Sequence, residues 1–143
     1  IDPGLQKLRY QIENIAVQAG NNWKVEYDRS VKRILLYAAD RDNKQVAIEI
    51  AVFAETDCPV AEFSTSVDFK ITGRAPKRPG LIQIIQEYSK IISCMFWHDT
   101  ENQKLIFRSR QPSTTTDDAE VSFHVNALLH ARAEFFRMRE GWG

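Results

Sequence analysis

Between Ala61 and Thr72 the residues alternate without a break: Ala61, Phe63, Thr65, Val67, Phe69 and Ile71 are set against Glu62, Ser64, Ser66, Asp68, Lys70 and Thr72. Successive side chains of a strand point to opposite faces, so this run makes a strand with one dry face and one wet face. That is the pattern of an antiparallel sheet whose one side meets a core and whose other side meets water.

The flanking segments supply the rest of the sheet and its cover. Val46, Ile48, Ile50 and Val52 alternate with Ala47, Glu49, Ala51 and Phe53, and the run ends near Asp57-Cys58-Pro59. Trp23 to Tyr27 and Val31 to Ala39 are rich in β-branched and aromatic residues, with Arg41-Asp42-Asn43-Lys44 as a turn. Leu5, Leu8, Ile12, Ile15 and Ala19 recur three and four apart and close on Gly20, the spacing and cap of an amphipathic helix. After the loop Gly73-Arg74-Ala75-Pro76-Lys77-Arg78-Pro79-Gly80, a second helical stripe carries Leu81, Ile84, Ile85, Tyr88, Ile91, Ile92 and Met95. Asp117 with Glu120 three residues on reads as a capping box. It opens a last helix whose apolar face holds Val121, Val125, Leu128, Leu129, Phe135 and Phe136.

The expected elements are a helix at about 4–19, strands at about 23–27, 31–39, 45–56 and 60–72, a helix at about 80–94, a hairpin at 95–111 and a helix at about 117–140. They are read as one α+β domain with a mixed, largely antiparallel sheet in α-β-β-β-α-β-β-α order. With 143 residues, 43% of them hydrophobic and 27% charged, the chain can bury a core of ordinary size, and no apolar run approaches the ~20 residues of a membrane span. Nineteen basic residues balance nineteen acidic ones, so the overall charge argues for neither nucleic acid nor an anionic membrane as partner. The start, Ile1-Asp2-Pro3-Gly4, lacks the regions of a signal peptide, and a cytoplasmic location with reduced thiols is the expectation.

Chemistry is scarcer. In Ser93-Cys94-Met95-Phe96-Trp97-His98-Asp99-Thr100 a thiol, an imidazole and a carboxylate crowd together. If Thr100 to Gln103 is a four-residue hairpin loop, Asp99 faces Lys104, His98 faces Leu105, Trp97 faces Ile106 and Phe96 faces Phe107. Alternation then sends His98 and Asp99 to opposite faces, and no nucleophile with an oriented base results. Cys58 and Cys94 form no CxxC pair, and the three histidines show no ligand spacing, so neither metal nor cofactor is expected. Arg74, Lys77 and Arg78 read as a solvated loop. Arg132, Arg137 and Arg139 near Trp142 read as cations suited to a helix C-terminus. No catalytic residue is named.

Together "NNWKVEYD", "KQVAIEIAVFAE", "LIQIIQEYSKII", "FWHDTENQKLIFRSRQP" and the final helix resemble the YbjN family of bacterial proteins, whose fold is similar to that of type III secretion chaperones. The resemblance runs from Leu5 to Arg139 and implies a type III secretion chaperone-like α+β fold, usually dimeric, with no catalytic residues. Zero net charge departs from the acidic character of such chaperones. The functional expectation is a noncatalytic binding module for a protein partner or client segment, and a homodimer. Its partner-binding residues are Met95, Trp97, Lys104, Ile106 and Arg108, with the Phe96 face inward. The alternative is a small enzyme or ligand binder with a pocket between sheet and helices that draws on Tyr37, His98 and Arg108.

Overall fold

A computed structural model of the chain describes residues 3–18, 23–30, 32–40, 43–55, 58–69, 80–88 and 94–141. The elements run α1 (Pro3–Gln18), β1 (Lys24–Asp28), β2 (Arg33–Ala39), β3 (Gln45–Glu55), β4 (Cys58–Asp68), α2 (Leu81–Tyr88), β5 (Met95–Asp99), β6 (Lys104–Pro112), a 3-10 turn at Ser113–Thr115 and α3 (Asp118–Glu140). One six-stranded sheet is ordered β1-β2-β3-β4-β6-β5. Every neighbouring pair in it is antiparallel.

Two expectations are corrected here. Among the described residues the sheet is wholly antiparallel rather than mixed. Four strands rather than three precede the second helix, so the α-β-β-β-α-β-β-α order gives way to one in which all four expected segments stand as separate strands.

The alternation read from Ala61 onward holds in space. Ala61, Phe63, Thr65, Val67 and Phe69 are buried, and Glu62, Ser64, Ser66 and Asp68 are not. On the same side, Ile34, Leu36, Val46, Ile48, Ile50, Leu105 and Phe107 meet Leu5, Leu8, Ile12 and Ile15 of α1 and Val121, Val125, Leu128 and Phe135 of α3 in one apolar cluster. Ile84 of α2 joins it. At about 25 cal/mol per Å², this one-sided burial is the main term that holds helices to sheet.

Three boundaries differ from expectation. Cys58 and Pro59, read as a turn, lie in β4 opposite Glu55 and Ala54. Pro59 is tolerated there because β4 pairs with β6 only from Val60 onward, so at Pro59 the strand has one neighbour and no second ladder needs its missing N–H. At its other end β4 stops at Asp68, and Phe69 turns its N–H to Gln103 O at 2.9 Å, while Lys70 to Thr72 fall outside the described residues. Met95 opens β5 instead of closing the helical stripe of α2. The stripe positions Ile91 and Ile92, the loop cations Arg74, Lys77 and Arg78, the cap Gly20 and Trp142 also lie outside the described residues, as does the side chain of Ile85.

The capping box forms as read. Glu120 N–H donates to Asp117 Oδ1 at 2.8 Å, and the Glu120 carboxylate accepts from Asp117 N–H at 3.4 Å. It fixes the start of α3 and so the register of Val121, Val125 and Leu128 over β4 and β6. Among the described residues no helix is long and apolar enough to cross a membrane.

Candidate functional site

The β5–β6 hairpin has the anticipated register: Phe96↔Phe107, Trp97↔Ile106, His98↔Leu105 and Asp99↔Lys104. Its loop is held by Asn102, whose backbone N–H and side-chain amide donate to the Asp99 carboxylate at 3.3 and 2.8 Å. These hydrogen bonds hold the Asp99 carboxyl below its ordinary range. Gln103 closes the loop with a positive φ of 52°.

Pleating splits the hairpin between two environments. Phe107 and Leu105 are buried, Phe96 packs on the core, and His98 meets Phe69 edge-on at 5.2 Å. Both His98 ring nitrogens are buried without a hydrogen-bond partner among the described residues. On the other face Trp97 is 42% exposed and Met95 56%. The Arg108 guanidinium carbon lies 5.0 Å from the centre of the Trp97 ring, a cation–π contact that holds the indole against the sheet.

That second face carries no helix among the described residues, because α1 and α3 pack on the opposite side. Ion pairs order it. Glu62 accepts from Arg110 Nε at 2.7 Å and lies 3.6 Å from Arg108 Nε, which is buried and makes no hydrogen bond to a described residue. Arg33 and Glu49 pair at 2.8 Å. Between these pairs lies a notch of about 190 Å³ walled by Phe53, Ile106 and Arg108 and containing Ala51 and Ser64. Of the five residues read as partner-binding, Met95, Trp97, Ile106 and Arg108 thus share one surface region. Lys104 stands at its margin between Asp68 and Asp99 in register.

The three residues of the enzymatic alternative do not converge. Tyr37 and Arg108 belong to the uncovered face, on β2 and β6 with two strands between them, and His98 points to the covered face. Cys94, His98 and Asp99 are no better placed. Burial pushes the Cys94 thiol up to about 11, which leaves it protonated and a poor nucleophile at neutral pH. Both cysteines are free. Replacing Cys58 with Ser and Cys94 with Ala should leave the circular dichroism spectrum and partner binding unchanged; loss of binding by a folded double variant would contradict this.

A constellation that sequence reasoning missed sits inside. Gln111 donates from Nε2 to Thr116 Oγ1 at 3.0 Å and to Glu120 Oε2 at 2.8 Å, so its Oε1 is left to accept from His124 Nε2–H. The other ring nitrogen, Nδ1, therefore accepts from the Ser109 hydroxyl. His124 stacks on Phe63 at 4.9 Å, and burial lowers its pKa against a smaller opposing pull from Glu120. Ser109 and His124 are each only 7% exposed, so this serine–imidazole–amide relay clamps α3 to β6 and presents no nucleophile to solvent. The signal lay in the spacing of Val121, His124, Val125 and Leu128, which gives the imidazole a core position.

A groove of about 470 Å³ runs beside the C-terminal half of α3, over Leu129, Ala133 and Phe136. Arg132 there pairs with Asp40 at 3.3 Å and lies over the Phe136 ring, and Arg137 pairs with Glu134 at 2.7 Å. Arg132, read as a helix-end cation, instead ties α3 to the end of β2. Among the described residues no group of His, Cys, Asp and Glu has the arrangement of a metal site. No protein-family model matches the chain, and a search of curated proteins finds no match to it.

Proposed function

We propose that the chain is a noncatalytic, cytoplasmic protein-binding module, chaperone-like or regulatory, that engages a protein partner through the uncovered sheet face at Trp97. The observation that carries this reading is the half-exposed Trp97 beside exposed Met95, braced by Arg108 and bordered by Lys104 and Asp99. An apolar centre with a charged margin is the anatomy of a contact surface, and tryptophan and arginine are its favoured anchors. Balanced charge favours local recognition of protein over nucleic acid or membrane. The reading accords with the resemblance to YbjN-type proteins and the secretion chaperone-like fold.

Trp97→Ala combined with Ile106→Ala tests it. Capture of partner from native lysate, and self-association followed by sedimentation, should weaken by at least about tenfold, as loss of an interface anchor does. The denaturant midpoint should move little, because Trp97 lies outside the core cluster. A double variant that associates as before but unfolds readily would place Trp97 in the core and end this reading.

A further inference from the structure

The chain has two methionines. Met138, in α3, packs against the core, whereas Met95 opens β5 on the uncovered face and is 56% exposed. A peroxide converts an exposed thioether from an apolar group into a polar one and leaves the chain intact. We infer that Met95 is an oxidation site of the Trp97 surface, whose sulfoxide draws Arg108 away from Trp97 and releases the partner. This regulation rests on the protein-binding reading.

Register supplies the mechanism. Met95 and Arg108 are opposed across β5 and β6, with Cβ atoms about 5 Å apart, and Trp97 follows two residues on along the same side. Arg108 has both within reach, and its guanidinium carbon now lies 5.0 Å from the centre of the Trp97 ring. Its Nε, 3.6 Å from Glu62, makes no hydrogen bond to a described residue. A thioether sulfur is a weak acceptor and does not compete with the indole for the guanidinium. A sulfoxide oxygen is a strong one, and a hydrogen bond from a charged donor outweighs a solvent-exposed cation–π contact. Oxidation therefore places an acceptor across from a cation that is short of one. It also sets a group that holds water at the centre of a surface that must shed water on contact, which weakens binding by about tenfold or more.

The chemistry balances with hydrogen peroxide as the oxidant. The O–O bond breaks, an S–O bond forms at Met95 Sδ, the sulfur gives up two electrons and the second peroxide oxygen leaves as water. Methionine sulfoxide reductase reverses the step: two thiols supply two electrons, become a disulfide, and the oxygen leaves as water. The cysteines do not intercept the oxidant here. Burial keeps the Cys94 thiol protonated, and Cys58 lies opposite Glu55 at the end of β4 remote from Trp97.

In the Cys58→Ser, Cys94→Ala background the chain is treated with hydrogen peroxide, sampled over time, digested and analysed by mass spectrometry, with circular dichroism confirming the fold. Met95 should gain one oxygen several-fold faster than Met138. The emission of Trp97, taken as the difference from a Trp97→Phe chain treated alike, should shift as the indole loses its cation. Capture of partner from native lysate should fall about tenfold or more. Methionine sulfoxide reductase with dithiothreitol should restore both. Met95→Leu, close in volume and free of sulfur, should bind as the untreated chain does and resist the oxidant. Arg108→Gln should keep its Trp97 emission through oxidation, having no guanidinium to move. Met138 oxidising as fast as Met95 overturns the site. Oxidised Met95 with unchanged emission and capture overturns the switch, as does a treated Met95→Leu chain that loses capture like its parent. An emission shift of full size in Arg108→Gln overturns the Arg108 step. If the oxidised chain captures partner fully while Trp97→Ala with Ile106→Ala does not, the binding reading stands and this regulation falls. A double variant that captures as before ends the binding reading and this regulation with it.

Discussion

Phe107→Ala removes about 3–5 kcal/mol of stability, enough to bring a domain of ordinary stability to the edge of unfolding. Phe107 is fully buried at the centre of β6, between β4 and β5, with Thr65 opposite on one side and Phe96 on the other. Its ring lies 6.4 Å from that of Phe135, so it is where the sheet meets the last helix. Truncation leaves a cavity that neither β-ladder can collapse into, since both strands are pinned by backbone hydrogen bonds. Ile106→Ala, one residue away on the uncovered face and only half-buried, should cost far less. Urea midpoints of the two variants measure the contrast. If Phe107→Ala shifts unfolding no more than Ile106→Ala does, the assignment of faces in the hairpin is wrong.

That contrast was legible in the sequence because a period of two leaves no freedom. Once Asp99 and Lys104 are opposed, every later pair follows, and a slip by one residue would send Phe96 and Phe107 to water. The strand from Ala61 was readable for the same reason, and Asp117 with Glu120 because a capping box has a fixed spacing. Where reading failed, two patterns overlapped. Met95 falls three residues after Ile92, so it extends a helical stripe as well as it begins a strand, and nothing local decides between them. Pro59 looks like a strand breaker until the neighbour on each side is known, which is tertiary information. The uncovered face at Trp97 was anticipated because both sides of the hairpin are apolar and one core covers only one of them. The grouping of Tyr37, His98 and Arg108 was not supported by any spacing, and the sheet separates them.

The buried relay yields a pH dependence of definite sign. His124 is held neutral by burial, with a pKa below its ordinary 6.5, whereas in the unfolded chain it titrates near that value. Above pH 6.5 both states carry the neutral ring and its contribution to stability is complete. As pH falls below 6.5 the unfolded chain takes up a proton that the folded chain does not, and stability declines until the pH reaches the lowered folded-state value. The slope contributed by this one site cannot exceed about 1.4 kcal/mol per pH unit. His124→Gln removes the titration but keeps a polar group between Ser109 and Gln111. His124→Ala leaves both without their ring partner and costs about 1–3 kcal/mol for each group stranded without a hydrogen bond, even at neutral pH. Denaturant unfolding of the wild-type chain and His124→Gln, from pH 7.5 down to 5, separates the two contributions. The curves should stay parallel above pH 6.5 and draw together below it, as the wild-type chain loses its advantage. Curves that remain parallel throughout would mean that the ring takes its proton as readily inside the fold as outside it. Ser109 and Gln111 would then serve an imidazolium equally well, with the Glu120 carboxylate behind Gln111 offsetting the loss of solvent.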